Sequence, residues 1–310
     1  MYSKNIYERI APASLTKLMT AILFLEKYDI NQQISLIVEQ NEMKGKIAYL
    51  ESDMIMQASE LLDFLLVYSA NDAAHAIALS VSDTEEEFIY LMNQKAASLG
   101  MNDTNYINTH GLDDPEHYTT LNDLLLLSLE VLNYDEIIVS TGKEYFYSDS
   151  ITGVLNKYYS TNELINDNFN GLKTGWTKNA GLTFIGLYQG PSRNIITLVN
   201  KSKTDIKKEN HFIDTLLLKN LSIETFNSSD IVNKGDPMAK KVNGYEKSII
   251  YSPFTISIFG NISTPHVVSI SEITNNILEY TYKQDKSFII SLPKTPKVSI
   301  YSKLFFWLFK

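Results

Sequence analysis

The sequence predicts an α+β fold: a helical block packed against an antiparallel sheet, plus a small C-terminal all-β domain. Three observations predict it. Residues 11–140 carry apolar runs of helical length separated by polar turns. Residues 144–200 change to short stretches rich in aromatic and β-branched side chains, closed by a helical segment. From about Asn227 only short strand-like stretches remain between turn residues. In 310 residues this order suits one large core and a smaller domain after it.

The first helix opens at Ala11-Pro-Ala-Ser-Leu-Thr-Lys-Leu-Met-Thr-Ala21. Its run from Leu15 to Leu25 is apolar on nearly every side, which predicts a buried helix. Pro12 sits at the first turn, where a helix tolerates proline. Ile34 to Met56 has no clear period, with Gly45 as a breaker. Ser59 is expected to cap a helix, Glu60 to Tyr68, that stops at Ser69-Ala-Asn-Asp72. A small-residue helix, Ala73 to Leu79, follows, with Asp72 as its N-cap. Asp83-Thr-Glu-Glu86 reads as a capping box for a helix that runs to Leu99 and closes at Gly100. Met101 to His117 is a loop, and Thr120-Leu-Asn-Asp123 starts the helix Leu121 to Leu132.

Strands are expected at Glu144 to Tyr147, Gly171 to Thr174, Leu182 to Tyr188 and Ile195 to Asn200. Gly190-Pro-Ser-Arg193 turns between the last two. Asp205 to Asn220 is a helix with Phe212, Ile213, Leu216 and Leu217 on one side. The large domain thus covers residues 1–226. Asn227-Ser-Ser-Asp230 reads as a linker. Ser248 to Phe259, Val267 to Ile270, Leu278 to Tyr282 and Ser287 to Leu292 give a small β-sandwich-like domain over 227–296. In the last segment, 297–310, Lys303-Leu-Phe-Phe-Trp-Leu-Phe-Lys310 places six apolar residues between two lysines. It is too short to span a bilayer and is expected to anchor at a membrane surface.

Composition narrows the chemistry. A net charge of −9 argues against a nucleic-acid surface. With no cysteine there is no disulfide, thiolate nucleophile or Cys-ligated metal. Met1 to Arg9 is polar and lacks the apolar stretch of an export signal. Five histidines, His75, His110, His117, His211 and His266, invite a Ser-His-Asp reading. No pair of them has the spacing of a metal site. His75 lies among alanines on a helix, where packing explains it better.

Ser14 and Lys17, three residues apart, share a helical face. A serine hydroxyl needs a nearby base to become a nucleophile. Lysine can be that base when burial or cationic neighbours lower its pKa. Ser-x-x-Lys recurs at Ser291-Leu-Pro-Lys294, so alone it carries little information. Ser69-Ala-Asn71 has counterparts at Ser160-Thr-Asn162 and Ser192-Arg-Asn194, whereas Lys173-Thr-Gly175 occurs once. The order makes the set specific: helix start, helix–helix turn, then strand.

On these patches the chain resembles the serine D-alanyl-D-alanine carboxypeptidases, the low-molecular-mass penicillin-binding proteins of peptidase family S11. Longer strings carry the likeness: Arg9 to Ala21, Ser69-Ala-Asn-Asp-Ala-Ala74, Gly100-Met with Asn108-Thr-His-Gly-Leu112, and Gly171-Leu-Lys-Thr-Gly-Trp-Thr177 to Ala180-Gly181. It covers Tyr2 to Asn220 continuously and the remainder by position. The implied fold is the DD-peptidase/β-lactamase-like one. The resemblance implies that Ser14 forms an acyl-enzyme and Lys17 accepts its proton. It implies that Ser69 and Lys173 relay the proton, and that Lys173 keeps the pKa of Lys17 low. Asn71 would bond the substrate amide, and Lys173 and Thr174 the terminal carboxylate. Gly175 would let substrate approach the strand. The N–H groups of Ser14 and Trp176 would form the oxyanion hole. His110 and His117 would be structural, and no metal or cofactor is implied. The implied partners are a peptidoglycan stem peptide ending in D-Ala-D-Ala, β-lactams and, through the C-terminal segment, a membrane surface. The implied place is peripheral, on the outer face of the cytoplasmic membrane.

Two departures from the family pattern are expected to matter. The pattern places an export signal and two strands before the first helix, and Tyr2 to Glu8 matches only the end of the second. The sheet would then lack its outer strands and keep an open edge. No arginine follows the second strand pair to hold a carboxylate; Lys207 or Lys208 would replace it. Other readings are a serine β-lactamase or esterase on the same fold, and an inactive, truncated penicillin-binding protein. Glu163-Leu-Ile-Asn166, which resembles a deacylating motif, lies too close to the Lys-Thr-Gly strand to serve.

Overall fold

The computed structural model describes residues 3–38, 44–191, 194–202, 209–225, 227–232, 237–243, 246–251, 256–260, 268–274, 277–282 and 286–291. The chain divides into two compact units, Met1–Ser222 and Ile223–Lys310.

In the first unit, the apolar run begins as a 3-10 turn, Ala13–Thr16, and continues as α1 (Lys17–Lys27). Every residue of α1 from Lys17 to Phe24 is buried, as its all-round apolar sequence requires. The segment without a period supplies two short antiparallel strands, β1 (Gln33–Ser35) and β2 (Ile55–Gln57). Strand β2 runs directly into α2 (Ala58–Leu66), so no side chain caps that helix. The N–H groups of Ala58 and Ser59 go instead to the carbonyls of Gln32 and Ile30. That replaces the expected Ser59 cap.

Next comes α3 (Asn71–Val81), which starts earlier than expected, at Asn71 itself. Asp72 is not its N-cap: its carboxylate accepts from the N–H groups of Ala48 and Leu50. The capping-box reading holds with the cap one residue on. Thr84 accepts from Glu87 N–H to start α4 (Glu85–Ser98), and Gly100, at φ 78°, ends it. Thr120 caps α5 (Leu121–Val131) in the same way, through Asp123 N–H. The short α6 (Asp135–Thr141) follows. Helix α1 touches α2, α3, α4 and α5, and so forms the centre of the block.

A hairpin, β3 (Tyr145–Ser148) with β4 (Asn156–Tyr159), closes one side of α2. Phe146 and Tyr158 each meet the Phe64 ring edge-on, at 4.9 Å. Strands β5 (Lys173–Thr177), β6 (Gly181–Gln189) and β7 (Asn194–Ser202) form an antiparallel sheet in that order. Strand alternation sorts β6 between two cores. Ile185 and Leu187 join the large one with the helices. Phe184 faces the other way, into a small cluster with Leu164, Phe169 and Phe212. Phe212 comes from α7 (Asn210–Thr225), whose ring lies 5.3 Å from that of Phe184.

The sequence misjudged the face of α7. His211, Phe212 and Thr215 are buried and Leu216 packs beside them, but Ile213 and Leu217 are exposed. The small cluster has room for one strip of the helix only. Lys207 and Lys208 lie outside the described residues, as do His266 and segment 297–310.

The second unit holds β8 (Asn227–Val232), β9 (Pro237–Asn243), β10 (Glu246–Tyr251), β11 (Ile256–Gly260), β12 (Val268–Thr274), β13 (Ile277–Tyr282) and β14 (Lys286–Ser291). β8 pairs with β11, β9 with β10, and β12, β13 and β14 form an antiparallel set. The expected linker at Asn227-Ser-Ser-Asp230 is therefore part of strand β8. Main-chain pairing does not need β-branched side chains, so low propensity hid it.

Candidate active site

The 3-10 turn sharpens the relation of Ser14 to Lys17. In such a turn residues i and i+3 eclipse one another. Lys17 Nζ lies 3.1 Å from Ser14 Oγ. Ser14 is half-buried and Lys17 has no exposed surface.

Lys17 has two further contacts, Asn71 Oδ1 at 2.7 Å and the carbonyl oxygen of His110 at 2.9 Å. Both are uncharged acceptors. A neutral amine has two N–H groups and one lone pair. Asn71 and His110 satisfy the two N–H groups, which leaves the lone pair for the hydroxyl of Ser14. Burial brings Lys17 down to a pKa of about 7; Asp72 raises it and Lys46 lowers it further. The pull of Asp72 is blunted because its oxygens already accept from Ala48, Leu50 and Ala73 N–H.

Lys173 opens β5, also buried, and donates to the carbonyl of Thr174 at 3.2 Å. Burial first, then the charges of Lys17 and Lys46, hold it well below its ordinary pKa. Thr174 donates to Thr161 Oγ1 at 2.6 Å, which ties β5 to the stretch after β4. Gly175 is where β5 crosses the nucleophile turn. A Cβ there would stand 3.0 Å from Ala13 Cβ and 3.2 Å from Ser14 N, with Thr183 Oγ1 at 2.5 Å. The close approach that Gly175 allows in this structure is to the turn at Ala13 and Ser14 and to Thr183. Trp176 is exposed at the strand's outer side. Ser69 is buried in the turn between α2 and α3, in the left-handed region at φ 68°. Among the described residues no hydrogen bond joins it to Lys17 or Lys173.

Sequence reasoning missed two supports. The first is the His110 carbonyl, a main-chain group with no signature of its own. The second is the hold of Asn71 on Lys17, with Asn71 Nδ2 donating to the carbonyl of Lys44 at 2.7 Å. The histidines are anchors. His117 Nδ1 accepts from Ile107 N–H, so in the neutral ring Nε2 carries the hydrogen and donates to Thr16 at 2.9 Å. Burial keeps that ring neutral, with a pKa of about 4. His110 is held lower, at about 3, by burial and then by Lys17. His75 of α3 pairs with Glu85, the first residue of α4, at 3.0 Å.

Chemically, this arrangement suits a class of site: serine acyl transfer with a buried lysine as the base. A profile of the family described as D-alanyl-D-alanine carboxypeptidase matches residues 1–204. The chain belongs to that peptidase S11 family. It is 35% identical over 190 residues to D-alanyl-D-alanine carboxypeptidase DacF of Bacillus subtilis, covering 58% of this chain and 48% of that protein. It is 28% identical over 214 residues to DacC of Escherichia coli, covering 65% and 53%. The chain thus spans about half the length of the curated relatives it matches. Among solved structures it is similar to penicillin-binding protein D2 from Listeria monocytogenes in its cefotaxime-bound form. That similarity has a TM-score of 0.62 and 29% identity, covering 71% of this chain and 90% of that one. Penicillin-binding protein 5 from Haemophilus influenzae, at 19% identity and TM-score 0.74 over 93% and 91% of the chains, shares the fold.

Gly111 gives the sharpest geometric prediction. It sits at φ 92°, and a Cβ there would fall 1.8 Å from the carbonyl oxygen of Ala13. Gly111→Ala is expected to cost about 3 kcal/mol or more, from strain and from the forced shift of the turn. Chemical denaturation would measure it; a loss below about 1 kcal/mol would contradict the packing described.

Proposed function

We propose that the first unit is a serine-type D-Ala-D-Ala carboxypeptidase that removes the terminal D-alanine from peptidoglycan stem peptides. The observation that carries this is the buried Lys17, with uncharged partners, 3.1 Å from Ser14. Family membership supports the substrate class.

In this reading Ser14 Oγ attacks the carbonyl carbon between the two D-alanines while its proton passes to Lys17. The tetrahedral oxyanion meets the main-chain N–H groups of Ser14 and Trp176. As the C–N bond breaks, the departing D-alanine nitrogen takes a proton, by way of Ser69 and Lys173. The acyl ester on Ser14 remains. Water, deprotonated by the same lysine, then attacks the ester, and Ser14 recovers its proton. Asn71 would turn from Lys17 and Lys44 toward the substrate amide. Lys173 and Thr174 would hold the free carboxylate by charge-assisted hydrogen bonds. The same machinery would be acylated by β-lactams.

The substrate lies outside the cytoplasmic membrane, so the proposed location is its outer face. The support for a membrane contact is the sequence of Lys303 to Lys310, with its apolar run between lysines. Among the described residues no helix is long and apolar enough to cross a membrane.

The test of activity is release of D-alanine from diacetyl-Lys-D-Ala-D-Ala. Ser14→Ala is expected to lower the rate by roughly a thousandfold or more. Because the neutral form of Lys17 is the base, the wild-type rate should rise with pH, with a midpoint near 7. Release that survives Ser14→Ala, or a rate flat from acid to alkaline pH, would refute the reading. For the membrane contact, removing Ser302 to Lys310 should abolish binding to anionic lipid vesicles; undiminished binding would exclude that role.

A further inference from the structure

Residues 44–50 lie against the catalytic residues without belonging to any of the three motifs. They are fastened at several points. The carbonyl of Lys44 accepts from Asn71 Nδ2, and that of Lys46 accepts from Asn71 N–H, both at 2.7 Å. Ala48 and Leu50 N–H are held by Asp72. Gly45, at φ 84°, brings the backbone so close that a Cβ would stand 2.7 Å from Asn71 Nδ2. Asn71 in turn accepts from Lys17. The segment is therefore clamped to the residue that holds the base.

From this segment Lys46 extends its ammonium over the ring of Tyr68, 4.0 Å from the centroid. Tyr68 immediately precedes Ser69. The aromatic face favours the charged amine. Lys46 as a residue is exposed, yet burial of its amine over the Tyr68 ring lowers its pKa from the ordinary value.

We infer that Lys46 is a positioning residue for the Ser14–Lys17 pair: its amine, fixed over Tyr68 and clamped through Asn71 to the residue that holds Lys17, supplies the positive charge at the Ser69 turn against which Lys17 takes the serine proton. This rests on the reading of Ser14 as nucleophile and Lys17 as base. The groups facing Lys17 are few. Asp72 on α3 favours its charged form, Lys46 opposes it, and Lys173 on β5 is repelled by both lysines. His110 stays neutral at working pH. Among them Lys46 is the cation that opposes Asp72 at Lys17. Of the three lysines it is the one the three motifs do not contain.

The sign follows directly. Removing the Lys46 charge lets Lys17 keep its proton to higher pH, so the acid limb of acylation moves upward. A partly screened unit charge in such a site is worth a shift of about half to one pH unit. At pH 6.5 that is a loss of roughly three- to tenfold in acylation rate, fading above pH 9.

The experiment compares wild type, Lys46→Gln and Lys46→Arg. It reads the pH profile of acylation by a chromogenic cephalosporin. It also reads the titration of Lys17 directly, from the 13Cε shift of labelled lysine, assigned by its loss in Lys17→Met. Lys46→Gln should move both midpoints upward together, and Lys46→Arg should restore them. If the Lys17 titration stays put in Lys46→Gln, the inference is wrong, whatever the acylation rate does. If wild type is not acylated at all while the titration moves, the assignment of Ser14 fails and the tuning of Lys17 by Lys46 stands.

Discussion

The structure turns on one buried amine. Lys17 is fully enclosed, yet its partners among the described residues are the neutral oxygens of Ser14, Asn71 and His110. Enclosing an ammonium without a paired anion costs several kcal/mol, and shedding the proton is the cheaper course. Lys46 pushes in the same direction, and burial with the charges of Lys17 and Lys46 holds Lys173 down as well. Asp72, the carboxylate that favours the charged amine, is occupied with main-chain N–H groups. The pocket thereby favours the uncharged form of a residue that in water would be a cation.

Much of the fold serves to bring four separate stretches of chain against that amine. Helix α1 stands at the centre of the block, and its 3-10 lead-in aligns Ser14 above Lys17. The 101–117 loop delivers the His110 carbonyl and is pinned to α1 by His117 on Thr16 and by Thr20 on the Thr109 carbonyl. The turn between α2 and α3 delivers Asn71. Strand β5 crosses at Gly175. Close approach explains the backbone irregularities at these points. Ala13 and Ser69 both lie at positive φ, and Gly111 and Gly175 sit where a Cβ would strike the nucleophile turn.

The candidate residues that the structure brings together, Ser14, Lys17 and Asn71, were legible because the proposed chemistry restricts them to few side-chain types in a fixed order. The long helices were legible from their apolar period and from the caps at Thr84 and Thr120. What escaped was what main-chain atoms do. The first N–H groups of α2 are satisfied by the carbonyls of Gln32 and Ile30, not by a Ser59 side-chain cap. Strand β8 hid in a polar stretch, since ladder bonds do not depend on side chains. The inward face of α7 was set by the small cluster around Phe184, which no pattern within α7 reveals. Asn71 was read as a substrate contact from its motif, and its bond to Lys17 became visible only in three dimensions. Lys46 belongs to no motif and gains meaning only from what it is clamped against.

The most direct measurement is to expose the protein to benzylpenicillin, digest it with trypsin and locate the added mass. Cleavage after Arg9 and Lys17 isolates the peptide Ile10 to Lys17, with Ser14 as its only serine. The account predicts the penicilloyl mass on Ser14, forming much faster at pH 8 than at pH 6. An adduct on another residue, or equal rates at the two pH values, would contradict a serine activated by an uncharged lysine.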